Sequence, residues 1–458
     1  MRTEIFGRRS ESVEKHGTRG CGYIGKIVSY PGGRYEESGA AYLDLAEPHC
    51  ALVLGKRGTG KSYTLGVLLE GFSKLEEDVR KNLAIVVVDT MSVFQSLKTK
   101  NMEPGECIRM RDFDGLQPEP MDNIQIALPL LTEKRLGEQG KNIFKDLALQ
   151  ISPMDVTTNL WLRLFGLEPR DPHGSLLLES LREAGGKGEW DLADLREIIE
   201  NKDVKVEEKR GLLALVQMAD DTMLFSNDAR KMVMPGKITV LDISYLGRLG
   251  NLDLRAFVVS YLAEKMLAER TLQTAYDMQV QSGFFAQEME GCKKPNIENK
   301  DNMEKPGLEM DERARSEKKG EGDAPLVWLV IDEAHLFLPS GGECISTQPL
   351  IDWIKLGRHP GLSIILATQE PSALHDTAIR QADLVISHQI TAEPDIQALG
   401  KARQSFMTGD RDLPNMVSQM DSRRGLAIIF DDKTRKMEYC IIRPRMTLHT
   451  GMDANALH

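Results

Sequence analysis

Hydrophobic residues are grouped along the chain in two ways, and each grouping predicts a different kind of element. Short continuous apolar runs bounded by turn residues are typical of strands buried on both faces, as in a parallel sheet covered by helices. Such runs lie at 51–54 and 84–88, and further β-like runs lie at 238–243, 326–331, 362–367, 384–386, 426–430 and 438–442. They predict an α/β fold with a mainly parallel sheet flanked by helices.

Helical spacing of Leu, Ile, Val and Met is concentrated in the middle of the chain. It occurs at 142–151, 156–165, 175–184 and 207–224, and Gly and Pro separate these segments. We interpret residues 132–232 as a helical insertion into the sheet domain. A long amphipathic helix is also predicted at 252–268, between two of the strand runs.

The first 46 residues contain two short β-like segments, 23–28 and 41–45. They are too few to bury a core of their own, so we expect a small β cap that leans on the rest of the chain. The predicted organisation is a β cap at 1–46, a first part of the core at 47–131, the helical insertion at 132–232, a second part of the core at 233–445, and a tail at 446–458.

One segment inside the second part of the core has a different composition. Residues 286–323 contain 11 acidic and 8 basic residues among 38, and very few large aliphatic ones. Such a segment cannot bury enough apolar surface to offset its ordering entropy, so we expect a mobile, disordered loop. A regulatory or partner-binding tether is the alternative interpretation.

The clearest chemical motif is Gly55-Lys-Arg-Gly-Thr-Gly-Lys61-Ser62, between the first apolar run and a helical stretch at 63–75. Its glycines allow backbone N–H groups to converge on phosphate oxygens at a helix N-terminus. Lys61 is predicted to contact the β and γ phosphates, and Ser62 to bind Mg²⁺. The predicted nucleotide-binding residues are Gly55, Lys56, Arg57, Gly58, Thr59, Gly60, Lys61, Ser62 and Tyr63.

A second candidate site follows the apolar run 326–331, which ends in Asp332-Glu333. We expect Asp332 to hold Mg²⁺ through water and Glu333 to polarise the attacking water. A P-loop kinase or GTPase does not usually carry a catalytic Glu at this point, and the chain has no Asn-Lys-x-Asp guanine motif. The predicted cofactors are therefore ATP and Mg²⁺, and the predicted reaction is ATP hydrolysis.

Two more residues are candidates for completing the reaction. Gln369 ends the run that starts at Leu362, where a polar side chain can sense the γ-phosphate; Thr368 is the second choice. Arg358 lies near a Gly-Pro turn beyond a predicted helix, so it should be exposed at a subunit edge. An arginine there can be an ordinary solvated surface charge, or it can act as a finger in a neighbouring subunit's site.

Three polar residues near these segments have less clear roles. Asp89 closes the strand predicted at 84–88, where it could either touch Mg²⁺-bound water or cap a turn. His49 and His335 are interpreted as structural, because ATP hydrolysis has no obvious need for either.

Overall composition narrows the class of protein. The chain has 458 residues, 41% hydrophobic, and its longest apolar runs are six residues, whereas a bilayer helix needs about 20. We therefore expect no membrane span, and the N-terminus has no apolar stretch typical of a secretory signal. Six scattered cysteines indicate a reduced cytoplasm. The net charge of −11 excludes a broad basic surface, so any nucleic-acid contact must be local.

Four segments together resemble the HerA/FtsK group of P-loop ATPases, and most of all the HerA-type DNA translocases. They are HCALVLGKRGTGKS at 49–62, PGKITVLDIS at 235–244, VWLVIDEAH at 327–335 followed by LGRHPGLSIILATQ at 356–369, and RRGLAIIFDD through IIRPRMTLHTG at 423–451. They occur in the order found in that family and span nearly the whole chain from about residue 40.

The resemblance implies a RecA-like core that assembles as a hexameric ring around double-stranded DNA and translocates on it or unwinds it. It also implies that Arg358 is the arginine acting in trans. Members of the group commonly work beside a NurA-type nuclease. The N-terminal region is shorter than the β-barrel usual in HerA proteins, so the partner stays open between such a nuclease and another effector. An ATPase that drives or gates a protein effector complex, for example in defence, without processive DNA translocation, would share every catalytic residue.

Overall fold

The computed structural model describes most of the chain, in several ranges. These are 2–29, 36–113, 115–136, 144–249, 252–281, 324–342, 344–403, 416–417, 420 and 425–450. The charged segment predicted at 286–323 lies outside the described residues, as do residues 451–458 of the predicted tail.

The strands are β1 (Arg2–Phe6), β2 (Cys21–Ser29), β3 (Glu36–Asp44), β4 (Cys50–Leu54), β5 (Leu83–Asp89), β6 (Ile124–Pro129), β7 (Leu147–Leu149), β8 (Ile238–Asp242), β9 (Arg248–Leu249), β10 (Leu252–Asp253), β11 (Leu326–Ile331), β12 (Leu362–Thr368), β13 (Leu384–Ser387), β14 (Leu426–Asp431) and β15 (Lys436–Ile442). The α-helices are α1 (Ser10–His16), α2 (Lys61–Ser73), α3 (Glu77–Arg80), α4 (Pro104–Met110), α5 (Leu130–Leu136), α6 (Thr158–Phe165), α7 (Pro172–Gly186), α8 (Leu192–Glu200), α9 (Val206–Asp221), α10 (Leu254–Gln281), α11 (Thr347–Leu356), α12 (Asp376–Gln381) and α13 (Glu393–Arg403).

A parallel sheet forms the centre of the fold, as predicted. Its strands lie in the order β13-β4-β12-β11-β5-β8-β6-β7, and each is parallel to its neighbours. Alternate side chains along a strand enter two separate cores. Leu52 and Leu54 of β4 belong to the core that includes α10 and the inserted helices, whereas Ala51 and Val53 face the core that includes α2. The continuous apolar runs are explained by burial on both faces.

The N-terminal strands are part of the same sheet. Beyond β13 the order continues through β14, β15, β2, β3 and β1, with antiparallel pairing from β13 to β3. The residues predicted to form a cap at 1–46 thus do not rest on the core as a separate layer. They extend its sheet edge to edge, because β2 pairs with β15 from the far end of the chain.

The described residues of the region 132–232 are mainly helical, but the helix predicted at 142–151 is wrong. Within 142–151 the structure has strand β7, which pairs in parallel with β6 at the edge of the sheet. Leu147 and Leu149 are buried and Ala148 between them is only partly so, which is the period of two of a strand. The backbone of β7 forms its hydrogen bonds with β6, whereas a helix would form them within its own segment.

Candidate active site

The loop between β4 and α2 has the conformation that phosphate binding requires. Gly55 has φ of 156°, and a Cβ there would lie 2.6 Å from Thr59 Oγ1 and 2.8 Å from His388 Cβ, so only glycine fits. Gly58 has φ of 78°, in the left-handed region, and no atom lies within 4 Å of the place where its Cβ would be. The sequence thus produces a tightly packed start to the loop and an open tip.

Lys61 is the first residue of α2 and its side chain is directed back into this loop. The residue is 6% exposed, and its ammonium donates to the carbonyl of Lys56 at 3.5 Å. Burial lowers the pKa of Lys61, while the nearby carboxylates of Glu333 and Asp332 act in the opposite direction. The helix N-terminus adds its own partial positive charge. An anion entering the loop would therefore meet both the ammonium and the helix end.

Ser62 and Asp332 come together beside the loop although 270 residues separate them. Ser62 Oγ donates to Asp332 Oδ2 at 3.0 Å. Burial raises the pKa of Asp332 to about 6, and the charge of Glu333 acts in the same direction. A hydroxyl and a carboxylate are the hard oxygen ligands that Mg²⁺ takes alongside phosphates. These two residues fit the expected metal.

Glu333 has an unusual backbone conformation for a residue other than glycine. Its φ is 52° and its ψ is 48°, in the left-handed region. This conformation strains the backbone of a residue other than glycine, and such residues are concentrated at functional sites. Its Oε1 accepts a hydrogen bond from the Gln369 amide. Its Oε2 is buried with no hydrogen bond among the described residues and lies 3.6 Å from His335 Nδ1. One carboxylate oxygen is thus held and the other is available as an acceptor.

Gln369 and Thr368, at the end of β12, have separate contacts. Thr368 Oγ1 lies 3.0 Å from His335 Nδ1 and accepts from the backbone N–H of Glu370, also at 3.0 Å. Gln369 is therefore the residue that reaches Glu333, and Thr368 holds the turn next to it.

Asp89 caps a turn, which is one of the two roles considered for it. Its carboxylate accepts from the backbone N–H groups of Met91 at 3.0 Å and Phe94 at 2.9 Å. Burial raises its pKa to about 7, and the neighbouring Asp242 contributes in the same direction. Both of its oxygens are engaged by the turn.

Arg358 is not brought to the P-loop of its own chain. It is exposed in the turn between α11 and β12, whereas Gln369 follows the other end of β12. The seven residues of β12 extend roughly 3.3 Å each, about 23 Å in all. Arg358 therefore lies at the amino ends of the parallel strands, and the P-loop lies at their carboxyl ends, on the opposite edge of the sheet. The turn is tied to α10 by Arg270 Nε, which donates to the Pro360 carbonyl at 2.7 Å.

Sequence reasoning missed His388, which lies under the P-loop. Its Nε2 is 2.8 Å from Thr64 Oγ1 and its Nδ1 is 2.9 Å from the Leu426 carbonyl. Burial lowers the pKa of His388 to about 4, and the charge of Lys61 contributes in the same direction. No local pattern marks this residue, because its position depends on β13 lying next to β4.

A buried ionic cluster behind the P-loop was also missed. Glu70 of α2 accepts from Arg443 Nη1 at 2.6 Å and from Thr447 Oγ1 at 2.7 Å. The backbone N–H of Arg445 donates to the Tyr63 hydroxyl at 2.7 Å. Residues 443–447 therefore form a strap across α2, the helix that carries Lys61 and Ser62.

Comparison with known proteins identifies the family of this chain. The family model described as "Helicase HerA, central domain" matches residues 24–266, more than half of the chain. The chain belongs to this HerA family. A second family model, that of the zonular occludens toxin, matches residues 257–400. No curated protein matches the chain.

Several solved structures are similar to this HerA-family chain at low identity. VirB4 of Thermoanaerobacter pseudethanolicus is 14% identical, with 92% of this chain and 96% of that chain covered and a TM-score of 0.49. The bacterial conjugative coupling protein TrwB is 13% identical, with 93% and 91% covered and a TM-score of 0.47. The genome packaging NTPase B204 from Sulfolobus turreted icosahedral virus 2 is 11% identical, with 86% and 97% covered and a TM-score of 0.32.

HerA-family membership confirms the predicted resemblance, the RecA-like P-loop fold class and the enzyme class, an ATP-binding P-loop ATPase. The roles assigned to the individual residues stay predictions. Among the helices of the described ranges, none is long and apolar enough to cross a bilayer.

Proposed function

We propose that this protein is an ATP-driven motor that moves along or unwinds double-stranded DNA as a hexameric ring. The observation that supports this most is the division of the candidate residues between two edges of one sheet. Lys61, Asp332 and Gln369 follow the carboxyl ends of three adjacent strands, β4, β11 and β12, whereas Arg358 precedes β12 at the opposite edge. Such a site is complete only when a second copy supplies its arginine.

In this proposal each residue of the site has one task. The loop amides and Lys61 bind the β and γ phosphates, and Ser62 and Asp332 hold Mg²⁺, which when bound would neutralise charge on the phosphate oxygens. Glu333 accepts a proton from the water that attacks the γ-phosphorus. The bond from that phosphorus to the β–γ bridging oxygen breaks, and ADP and phosphate leave.

Gln369 makes the ability of Glu333 to accept a proton depend on the γ-phosphate. Its amide donates to Glu333 Oε1 in this structure, and γ-phosphate oxygens would compete for the same amide. Losing that bond leaves the Glu333 carboxylate with fewer donors and makes it a better acceptor for the proton of water.

The exposed Arg358 supports the proposed ring. If the arginine edge of one copy docks on the P-loop edge of the next, the contact joins two different surfaces, and repeating it closes a ring or forms a filament. The description of the HerA family as a helicase supports DNA as the track. A NurA-like nuclease or another effector, and a cytoplasmic location, remain predictions from the sequence.

Duplex-dependent ATP hydrolysis tests this function. Steady-state rates with and without linear duplex should differ severalfold at 50 mM salt, and the stimulation should decline steeply towards 200 mM, because phosphate contacts release counterions. The Glu333→Gln variant assigns the signal to this site, and single-stranded DNA serves as a competitor. Duplex that is neither retained nor stimulatory at low salt would contradict the DNA motor and favour an ATPase that gates a protein effector.

A further inference from the structure

The segment after β13 is attached to the P-loop by backbone hydrogen bonds. The N–H of His388 donates at 2.8 Å to the carbonyl of Leu54, the last residue of β4. The N–H of Lys56 donates at 3.0 Å to the carbonyl of Gln389. The first turn of the loop is therefore fixed to residues that lie more than 300 positions later in the chain.

Both ring nitrogens of His388 are hydrogen-bonded, one to an acceptor and the other to a donor. The Leu426 carbonyl, 2.9 Å from Nδ1, can only accept, so Nδ1 carries the hydrogen. In the neutral ring Nε2 is then an acceptor, and the Thr64 hydroxyl at 2.8 Å donates to it. His388 is 1% exposed, so neither bond competes with water.

The side chain of His388 lies beside both ends of the loop. A Cβ on Gly55, at the start, would meet His388 Cβ at 2.8 Å, and a Cβ on Gly60, at the end, would lie 3.7 Å from His388 Cε1. Thr64, which holds Nε2, is itself bonded through its N–H to the Gly60 carbonyl at 2.8 Å. The His388 side chain therefore packs against the start of the loop through its Cβ and faces the end of the loop through its ring.

We propose that His388 is a positioning residue that holds the P-loop open at the spacing its amides need to bind the phosphates. Its bond with Thr64 is the decisive contact, since it links the first turn of α2 to β13 and β14. Preorganised donors bind without first paying an ordering cost, so the device acts on ATP affinity. Among the contacts described, it leaves Glu333 and Gln369 untouched. The inference rests on the proposed binding of ATP at this loop.

Variants of Thr64 isolate the decisive bond. Thr64→Val keeps the shape and removes the hydroxyl, so the Kd for Mg-ATP should rise about tenfold. The kcat at saturating ATP should stay within about twofold. Thr64→Ser restores a hydroxyl and should recover most of the affinity. The readouts are the equilibrium Kd for an ATP analogue, the split between KM and kcat, and the melting temperature.

Two buried histidines provide a matched pair. His388→Leu should lower the melting temperature and weaken ATP binding, whereas His49→Leu, at the opposite end of β4, should lower the melting temperature alone. If Thr64→Val binds ATP as the wild type does, or if His49→Leu weakens binding as much as His388→Leu, the inference is overturned. A wild-type protein that does not bind ATP would instead refute the proposed function, so the two failures are distinguishable.

Discussion

Replacing Arg358 by Ala tests whether the site is shared between subunits. The structure separates Arg358 from its own P-loop by the length of β12, about 23 Å at roughly 3.3 Å per residue. The guanidinium of Arg358 therefore cannot reach the phosphates bound by its own chain. An arginine finger contributes about 10³-fold or more to the rate, or about 4 kcal/mol of transition-state stabilisation. Arg358→Ala should therefore bind ATP normally and hydrolyse it at least about 10³-fold more slowly.

The assay mixes two inactive proteins. Arg358→Ala keeps Lys61 and Glu333, and Lys61→Ala keeps Arg358, so a site of the first protein can borrow the arginine of the second. With equal amounts and random assembly, about one interface in four pairs an intact P-loop with an intact arginine. Up to about a quarter of the wild-type rate should return if sites fire independently. Transfer of a labelled subunit must first show that subunits exchange.

A matched control lies at the end of α11, just before the turn that carries Arg358. Lys355→Ala removes an exposed cation three residues earlier and should leave hydrolysis within about twofold of wild type. A full-rate Arg358→Ala protein would reject the finger. If exchange is confirmed and the mixture stays inactive, the arginine does not act independently across each interface.

Two further predictions concern stability and follow from buried charges. Glu70→Gln leaves Arg443 buried without its counter-charge and should lower the free energy of unfolding by about 3–5 kcal/mol. Glu119→Gln, in the exposed pair with Lys74, should lower it by less than about 1 kcal/mol. Denaturant titration measures both losses, and equal losses would contradict the role of the strap. Burial opposes charge on His49, but its hydrogen bond to Asp383 at 2.9 Å and the Asp44 carboxylate 3.8 Å away raise the pKa of His49. Its stabilising contribution is therefore complete below the ordinary histidine pKa of about 6.5 and is lost as the pH rises through the folded value. The difference in melting temperature between wild type and His49→Gln should therefore shrink from pH 6 to pH 9, and a difference that grows would refute the assignment.

The parts of this molecule that the sequence predicted are those encoded by neighbouring residues. The P-loop, Asp332-Glu333 and the buried strands are each contiguous, and their geometry follows from local rules for glycine and apolar runs. Strand β7 was misread as helix because three residues at a sheet edge carry too short a pattern to compete with the helical spacing around them.

What the sequence could not show are pairings across the chain. His388 meets Thr64, and Arg443 meets Glu70, at separations of 324 and 373 residues. Both contacts depend on which strands are neighbours in the sheet, and the local periodicity of hydrophobic residues does not predict the order of strands. The same holds for the N-terminal strands, whose place in the main sheet depends on β15.

Single-turnover hydrolysis by Glu333→Gln tests the central claim most directly. The variant keeps Lys61, Ser62 and Asp332 and loses only the proton acceptor, so Mg-ATP should bind with wild-type affinity and be cleaved about 10²–10⁴-fold more slowly. Titration of the purified variant with radiolabelled ATP gives the affinity, and a chase of the bound ATP with unlabelled nucleotide gives the rate of cleavage in a single turnover. Cleavage at the wild-type rate, or loss of ATP binding, would contradict the assignment of Glu333 as the base of this site.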